Sequence, residues 1–193
     1  MSIKLNGATS GSVELDVPAA VTGGDVSLSL PGAGTVDRLE RAGNILQVLQ
    51  AVKTDTFSTS STSFVDITDL SVNITPSSAS SKVLALFSVI GGTSAGSGWY
   101  VNLVRDSTNV AIGDTAGNRV RSTVSNYSVP TIQLHSFGFE FLDSPATTSQ
   151  VTYKLQLKAQ SSFTSYINRA GTDTDNNLYP RAVSSITVME VAA

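Results

Sequence analysis

A period of two constrains this chain more than any other feature of its sequence. Val151, Tyr153, Leu155, Leu157 and Ala159 alternate with Thr152, Lys154, Gln156 and Lys158, so an extended strand here has one greasy face and one wet one. A helix would scatter the same residues around its circumference. Runs rich in β-branched and aromatic residues recur at 45–57, 64–74, 82–90, 99–105, 110–112, 128–134, 137–142, 150–159, 165–168 and 184–191. Between them stand Pro76-Ser77-Ser78, the glycines from Gly91-Gly92 to Gly98, Asp106-Ser107 and Ser144-Pro145, each a turn signal. The pattern predicts an all-β fold, an antiparallel jelly-roll β-sandwich.

Two segments lack a wet face. Val83-Leu84-Ala85-Leu86-Phe87 is apolar on both sides, and Ile186, Val188, Met189 and Val191 put apolar groups on both sides of the last run. A two-layer sandwich covers one face of each sheet, so a second cover is required. Leu84, Leu86, Ile186, Val188, Met189 and Val191 are therefore expected at an interface between subunits, the alternative cover being a long loop of the same chain.

The amino-terminal part reads differently. Ser12-Val13-Glu14-Leu15-Asp16-Val17-Pro18 is echoed by Asp25-Val26-Ser27-Leu28-Ser29-Leu30-Pro31. Val13, Leu15 and Val17 share one strand face, as do Val26, Leu28 and Leu30, and each proline removes a ladder donor where its strand stops. Ile3 and Leu5 fit the start of a third copy. Strands this short bury little alone and need a docking surface or neighbouring chains. From Thr35, a suitable N-cap, the spacing of Val36, Leu39 and Ala42 predicts one short helix ending at Gly43-Asn44. Leu39, Ala42, Leu46 and Leu49 also fit a two-heptad seam. The expected organisation is an extended β-rich segment over 1–34, a helical connector over 35–44 and a jelly-roll domain over 45–193.

Composition removes several function classes. A net charge of -3 and a pI near 5.0 give no basic stripe to neutralise phosphates, so neither nucleic acid nor an anionic membrane is an expected partner. Charged residues are 14% of the chain, against roughly 25% in ordinary soluble domains, so hydroxyls dominate the polar surface. The absence of cysteine excludes disulfide staples and thiolate chemistry. Met1-Ser2-Ile3-Lys4 lacks the apolar core of a signal peptide, and no run reaches the ~20 apolar residues of a membrane helix. A product made soluble in the cytoplasm is expected.

The residues of catalysis are sparse. His135 is the only histidine, and nothing around it marks a nucleophile elbow. Glu140 and Asp143 are the one pair of nearby carboxylates that invites comparison with a glycosidase. Glu140, however, lies opposite the Phe137/Phe139/Phe141 face, and Asp143 is expected to open a turn. Asp173-Thr174-Asp175-Asn176-Asn177 spaces its oxygens like the start of a calcium loop, but Leu178 and Ser184 stand where glycine and glutamate are needed. The glycine-rich run 91–98 precedes a strand rather than a helix and is expected to be a flexible loop. No catalytic residue, metal or cofactor is assigned.

Asn44-Ile45-Leu46-Gln47-Val48-Leu49-Gln50-Ala51-Val52-Lys53-Thr54-Asp55-Thr56-Phe57, followed by Ser61-Thr62-Ser63-Phe64-Val65-Asp66-Ile67 and Ile74-Thr75-Pro76-Ser77-Ser78, resembles a domain recurrent in virion proteins of tailed bacteriophages. The ending Ser184-Ser185-Ile186-Thr187-Val188-Met189-Glu190-Val191 and the proline-terminated repeats before Pro31 are similar to the same proteins. The resemblance implies a trimeric jelly-roll head, of the C1q and tumour-necrosis-factor type, on a short virion anchor. It implies a non-enzymatic homotrimeric tail fibre or spike subunit, located in the virion, with other virion proteins held by Val13, Leu15, Val17, Val26, Leu28 and Leu30. A host cell-surface polysaccharide is the implied outer partner. Aromatic rings stack on sugars and arginines bind hydroxyls, which makes Trp99, Tyr100, Arg119, Arg121, Tyr127, Arg169, Tyr179 and Arg181, beside loops, the candidate contacts. The competing place for Trp99 is the core, and for the others ordinary surface or intersubunit packing. A capsid decoration or head-fibre protein is the alternative within the class; a carbohydrate-binding module or a spike depolymerase using Glu140 and Asp143 is the alternative outside it.

Overall fold

The computed structural model describes residues 2–6, 12–16, 42–94, 96–128 and 131–193. The chain divides into two compact units, residues 1–39 and 40–193. In the first, strands β1 (Ser2–Asn6) and β2 (Ser12–Asp16) pair antiparallel, with Ile3 opposite Leu15 and Leu5 opposite Val13. Val17, Val26, Leu28, Leu30 and most of the expected helix lie outside the described residues. At the end of that helical segment Ala42 and Gly43 form a turn, Gly43 at a φ of 85°, where a β-carbon is unwelcome. Leu46 and Leu49 then belong to a strand, which removes them from any heptad seam.

The second unit contains β3 (Ile45–Lys53), β4 (Phe57–Thr59), β5 (Val65–Ile74), β6 (Lys82–Thr93), β7 (Ser97–Arg105), β8 (Thr108–Asn109), β9 (Val124–Ser128), β10 (His135–Asp143), β11 (Val151–Ala159), β12 (Ser165–Ile167) and β13 (Ser184–Val191). It is an all-β jelly-roll sandwich in which every described pairing is antiparallel. One sheet has six strands. Its path is β3-β13-β6-β12-β4, with β10 on the opposite side of β6. The five-stranded sheet runs β5-β11-β7, and β8 and β9 share the far edge of β7. Among the described residues no helix is long and apolar enough to cross a membrane.

Alternation puts Val83, Ala85, Phe87 and Val89 of β6 against Tyr153, Leu155 and Leu157 of β11 and Trp99, Val101 and Leu103 of β7 in one buried cluster. Each fully buried leucine there stabilises the fold by about 1.5–3 kcal/mol. Ile186 and Val188 are in the same cluster. They belong to the core rather than to a subunit-facing side, because the inner face of β13 is already covered by the other sheet. Trp99 is likewise 0% exposed and meets Phe137 edge-on at 5.6 Å, so its indole is closed to a ligand.

Several boundaries differ from those expected. The run 45–57 breaks after Lys53, where Asn168 Nδ2 donates to the carbonyls of Lys53 at 2.8 Å and Asp55 at 2.9 Å. In β5 the alternation slips at a bulge carrying Asp69 at φ 63°, which lets Ile67, Leu70, Val72 and Ile74 all reach the core. Residues 110–112 are irregular; β8 precedes them, and Val110 only packs against the core. The strand expected over 128–134 falls upstream as β9, which ends at Ser128, and residues 131–134 are turn and irregular backbone. The glycine-rich run is mostly strand. Gly91 and Gly92 lie inside β6, and a β-carbon on Gly91 would stand 2.5 Å from the Tyr166 carbonyl.

Asp143 does not open a turn. It ends β10 inside the sandwich, where its carboxylate accepts from the Tyr153 hydroxyl at 2.7 Å and forms a short ion pair with Arg105. Burial, and then the neighbouring carboxylate, push the Tyr153 phenol far above its ordinary value. Removing Asp143 strands a half-buried guanidinium and a buried hydroxyl. Asp143→Ala is therefore expected to lower stability by about 3–5 kcal/mol, read from the midpoint of urea unfolding.

Glu190 of β13 is 1% exposed. Its carboxylate accepts from the Ser77 amide at 2.7 Å, the Ser77 hydroxyl at 2.6 Å and Gln47 Nε2 at 2.6 Å. Burial alone would raise its pKa, but hydrogen bonds from Ser77, Gln47 and Ser81 outweigh burial and hold it below the ordinary 4.5. A depressed folded-state value means the stabilisation is complete above 4.5 and is lost as pH falls through the lowered value. Glu190→Gln is expected to cost about 1–3 kcal/mol at neutral pH and to flatten the acid side of the stability curve. Chemical denaturation at a series of pH values checks both.

Candidate functional site

The two outer faces of the sandwich differ in kind. On the five-stranded sheet the exposed groups satisfy one another. Asp66 accepts from Lys154 Nζ and Gln156 Nε2, both at 2.7 Å, and Asn73 accepts from the Thr152 hydroxyl at 2.7 Å. Burial would raise the Asp66 pKa, yet Lys154 and Gln156 hold it below the ordinary carboxylate range. Lys158 lies over the rings of Phe64 and Tyr100, 5.8 and 6.0 Å from their centroids. This face is wet.

The six-stranded sheet is not. The register sets Val48 of β3 opposite Met189 of β13, Met189 opposite Leu84 of β6, and Leu84 opposite Leu142 of β10. Four apolar side chains thus form one row across four strands, about 14 Å wide. Val48 is 55% exposed and Leu142 47%, while Leu84 and Met189 are half-buried. The next row contains Gln50, Thr187, Leu86 and Glu140, with Gln50 Nε2 donating to the Thr187 hydroxyl at 2.8 Å. Val191 lies opposite Lys82 on the other side. An apolar belt with polar neighbours is the anatomy of a contact surface. Of the six residues expected at an interface, Leu84, Leu86, Met189 and Val191 are on this face. Val48 and Leu142 were not anticipated, because a row across strands becomes visible only once the register is known.

The unit also has two distinct ends. At the proximal end the chain enters, with Gly43 N donating to Ala192 O and Ala192 N to Asn44 O, both at 2.8 Å. Strand β6 starts beside Val191 at that end and runs to Thr93 at the other. The distal end, about 36 Å away along β6, carries the segments 131–134, 160–164 and 168–183. The largest of these joins β12 to β13. Its base is closed by Ala182 N donating to Asn168 O at 3.1 Å, and Thr172 N is bonded to Thr131 O at 3.0 Å. Asn168, at φ 63°, accepts from the Ser184 hydroxyl at 2.7 Å.

Asp173 organises this loop. Arg181 grips it with both terminal nitrogens, at 2.8 and 3.0 Å, and Arg169 pairs with it at 3.1 Å while stacking on Tyr166 at 4.0 Å. Asp173, Thr174, Asp175, Asn176, Tyr179 and Arg181 line a groove of about 370 Å³. Among the described residues no group of three or more His, Asp or Glu side chains converges on a metal position.

The candidate sugar contacts separate accordingly. Arg169, Tyr179 and Arg181 come together at the groove. Tyr127 is also distal and 62% exposed, its hydroxyl donating to Gly96 O at 3.3 Å. Arg119 and Arg121 bind carbonyls of their own loop, Ala116 O at 3.4 Å and Gly113 O at 2.6 Å. Tyr100 is half-buried on the wet face and Trp99 is in the core. Glu140 is exposed on the outer side of β10 and Asp143 buried on the inner side, so these carboxylates do not share a site.

No protein-family model matches the chain, and no curated protein matches it. Among solved structures it is similar to the infectious bursal disease virus Gt strain, with a TM-score of 0.43 and 16% identity over 97% of this chain and 46% of that one. It is also similar to T=1 particles derived from infectious bursal virus (0.43, 16%, 98% and 44%) and to a VP2 subviral particle of that virus (0.42, 15%, 86% and 45%). The chain spans just under half the length of these matched chains.

The distal loop rests on β6 only because residue 171 is glycine. A β-carbon there would stand 2.0 Å from the Thr93 carbonyl oxygen. Gly171→Ala is expected to push the loop off the strand at a cost of about 1–3 kcal/mol. Hydrogen exchange should show lost protection at Ala182 and Thr172, with β11 unchanged.

Proposed function

We propose that the chain is a non-enzymatic virion structural protein, the subunit of a homotrimeric tail fibre or spike of a tailed phage. The observation that carries this reading is the apolar row from Val48 through Met189 and Leu84 to Leu142, set against a wet face on the other sheet. An apolar row at right angles to the strands has a simple consequence. Copies related by an axis parallel to the strands hold their rows at one height and close them into a single dry layer. Leu86 and Val191 extend that contact. The number three comes from the resemblance to trimeric phage heads.

The two ends support the same reading. Residues 1–34 attach to other virion proteins, with Val13, Leu15, Val17, Val26, Leu28 and Leu30 as the apolar contacts, and the head receives the chain at its proximal end. The distal loops of the head contact the polysaccharide of a host cell. A rigid sandwich bearing loops at its far end suits recognition without catalysis.

Light scattering of the purified full chain is expected to give three times the 20.1 kDa subunit mass. Replacing both Leu84 and Met189 by lysine should raise the dissociation constant at least about 100-fold, equivalent to ~3 kcal/mol, with the far-ultraviolet circular dichroism unchanged. A wild-type monomer at micromolar concentration contradicts the proposal. Gold-labelled antibody on intact particles is expected at the tail; labelling over the capsid surface would make the protein a decoration or head fibre instead.

A further inference from the structure

We infer that the groove formed by Asp173, Asp175, Asn176, Tyr179 and Arg181 at the distal end binds a neutral, hydroxyl-rich saccharide. This site gives the attachment role proposed above a location and a ligand class, and so rests on that reading.

The charge arrangement selects the ligand. Asp173 shares its one negative charge between Arg181, through two contacts, and Arg169, through a third, so both guanidiniums already hold a carboxylate. Asp175 is exposed and has no partner among the described residues. Asp173 and Asp175 together balance Arg169 and Arg181, so the groove offers a sugar acid no net attraction, while the free Asp175 oxygens accept hydrogen bonds from a vicinal diol. The side-chain hydroxyls of Thr174 and Tyr179 also lack partners among the described residues, and the Tyr179 ring supplies an apolar surface for the C–H face of a pyranose.

The walls are set before any ligand arrives. Tyr179 N donates to Asn176 O and Leu178 N to Asn176 Oδ1, both at 3.0 Å, and the two arginine contacts brace Asp173. Little ordering entropy remains to oppose binding. A volume of about 370 Å³ is at the small end of ligand sites, and the groove is open, so affinity per copy is expected on the order of 1 mM. Three copies presenting the groove at one end of the head would multiply it through avidity.

The test is saturation-transfer NMR on the full chain with three probes: methyl α-mannopyranoside, methyl β-galactopyranoside and N-acetylneuraminic acid. At least one neutral glycoside is expected to receive saturation and the acid none. Tyr179→Ala and Asp175→Ala should each weaken the neutral signal at least tenfold, while Ser80→Ala at the proximal end leaves it unchanged. If circular dichroism shows Tyr179→Ala to be unfolded, the exposed Asp175→Ala decides alone. Absence of any neutral signal, preference for the acid, or binding that persists in folded groove variants would overturn the inference. A trimer that reaches the particle but takes up no sugar would remove this site and leave the structural role standing. A monomer that binds mannoside or galactoside, and loses it with Tyr179, would do the reverse.

Discussion

Register in the six-stranded sheet depends on buried polar contacts, because its hydrophobic pattern is two-faced. A strand with one apolar face is fixed by that face, since a slip of one residue would expose the core set. Strand β6 lacks this protection: Val83, Ala85 and Phe87 could exchange places with Leu84 and Leu86 at little cost in transfer energy. Three polar anchors distinguish the alternatives. Asp143 binds Arg105 and Tyr153 across the sandwich, Glu190 binds Ser77, and Ser184 joins the Asn168 side chain to the Ile90 amide. A one-residue slip would turn Asp143 and Glu190 to the opposite face and leave their partners unsatisfied. Buried charge here specifies one arrangement more than it adds to stability.

With the register fixed in this way, the second apolar face becomes free for another use. The cost of carrying Leu84, Met189, Val48 and Leu142 outside the core is exposure to water in the isolated chain, which the proposed contact between copies recovers. A smaller domain of this kind would often be held by disulfides, but the chain has no cysteine. In the proposed oligomer, association through a sheet face is the physical substitute.

The sequence reveals the strands wherever alternation is strict and partners are local. Strand β11 lies where its period of two puts it, and β13 has the expected bounds, because both are set by residues within the strand itself. The bulge at Asp69 and the break after Lys53 were illegible since each answers to a distant group: Lys53 Nζ bonds Thr68 and Asp69, and Asn168 binds the carbonyls around the break. Asp143 looked like a turn residue for the same reason, its partner Arg105 being 38 positions away. The groove was partly legible because one loop supplies all its walls. Type and nearness to loops mark Arg169, Tyr179 and Arg181, but they mark Arg119 and Arg121 equally, and those two are occupied by their own loop. The apolar row was half legible: β6 and β13 showed two apolar faces, but Val48 and Leu142 join them only through register.

The contrast between the two outer faces also determines how the proposed association ends. Had both sheets been apolar outside, sandwiches could stack without limit, as heterologous contacts that do not close form filaments. Here Asp66, Lys154, Gln156 and Lys158 cover one side; Asp66 already holds Lys154 and Gln156, and Lys158 lies over Phe64 and Tyr100. Stacking on that side would desolvate them for no new contact. In the proposed oligomer only the six-stranded face of each chain makes the contact, so growth stops once the rows meet around an axis.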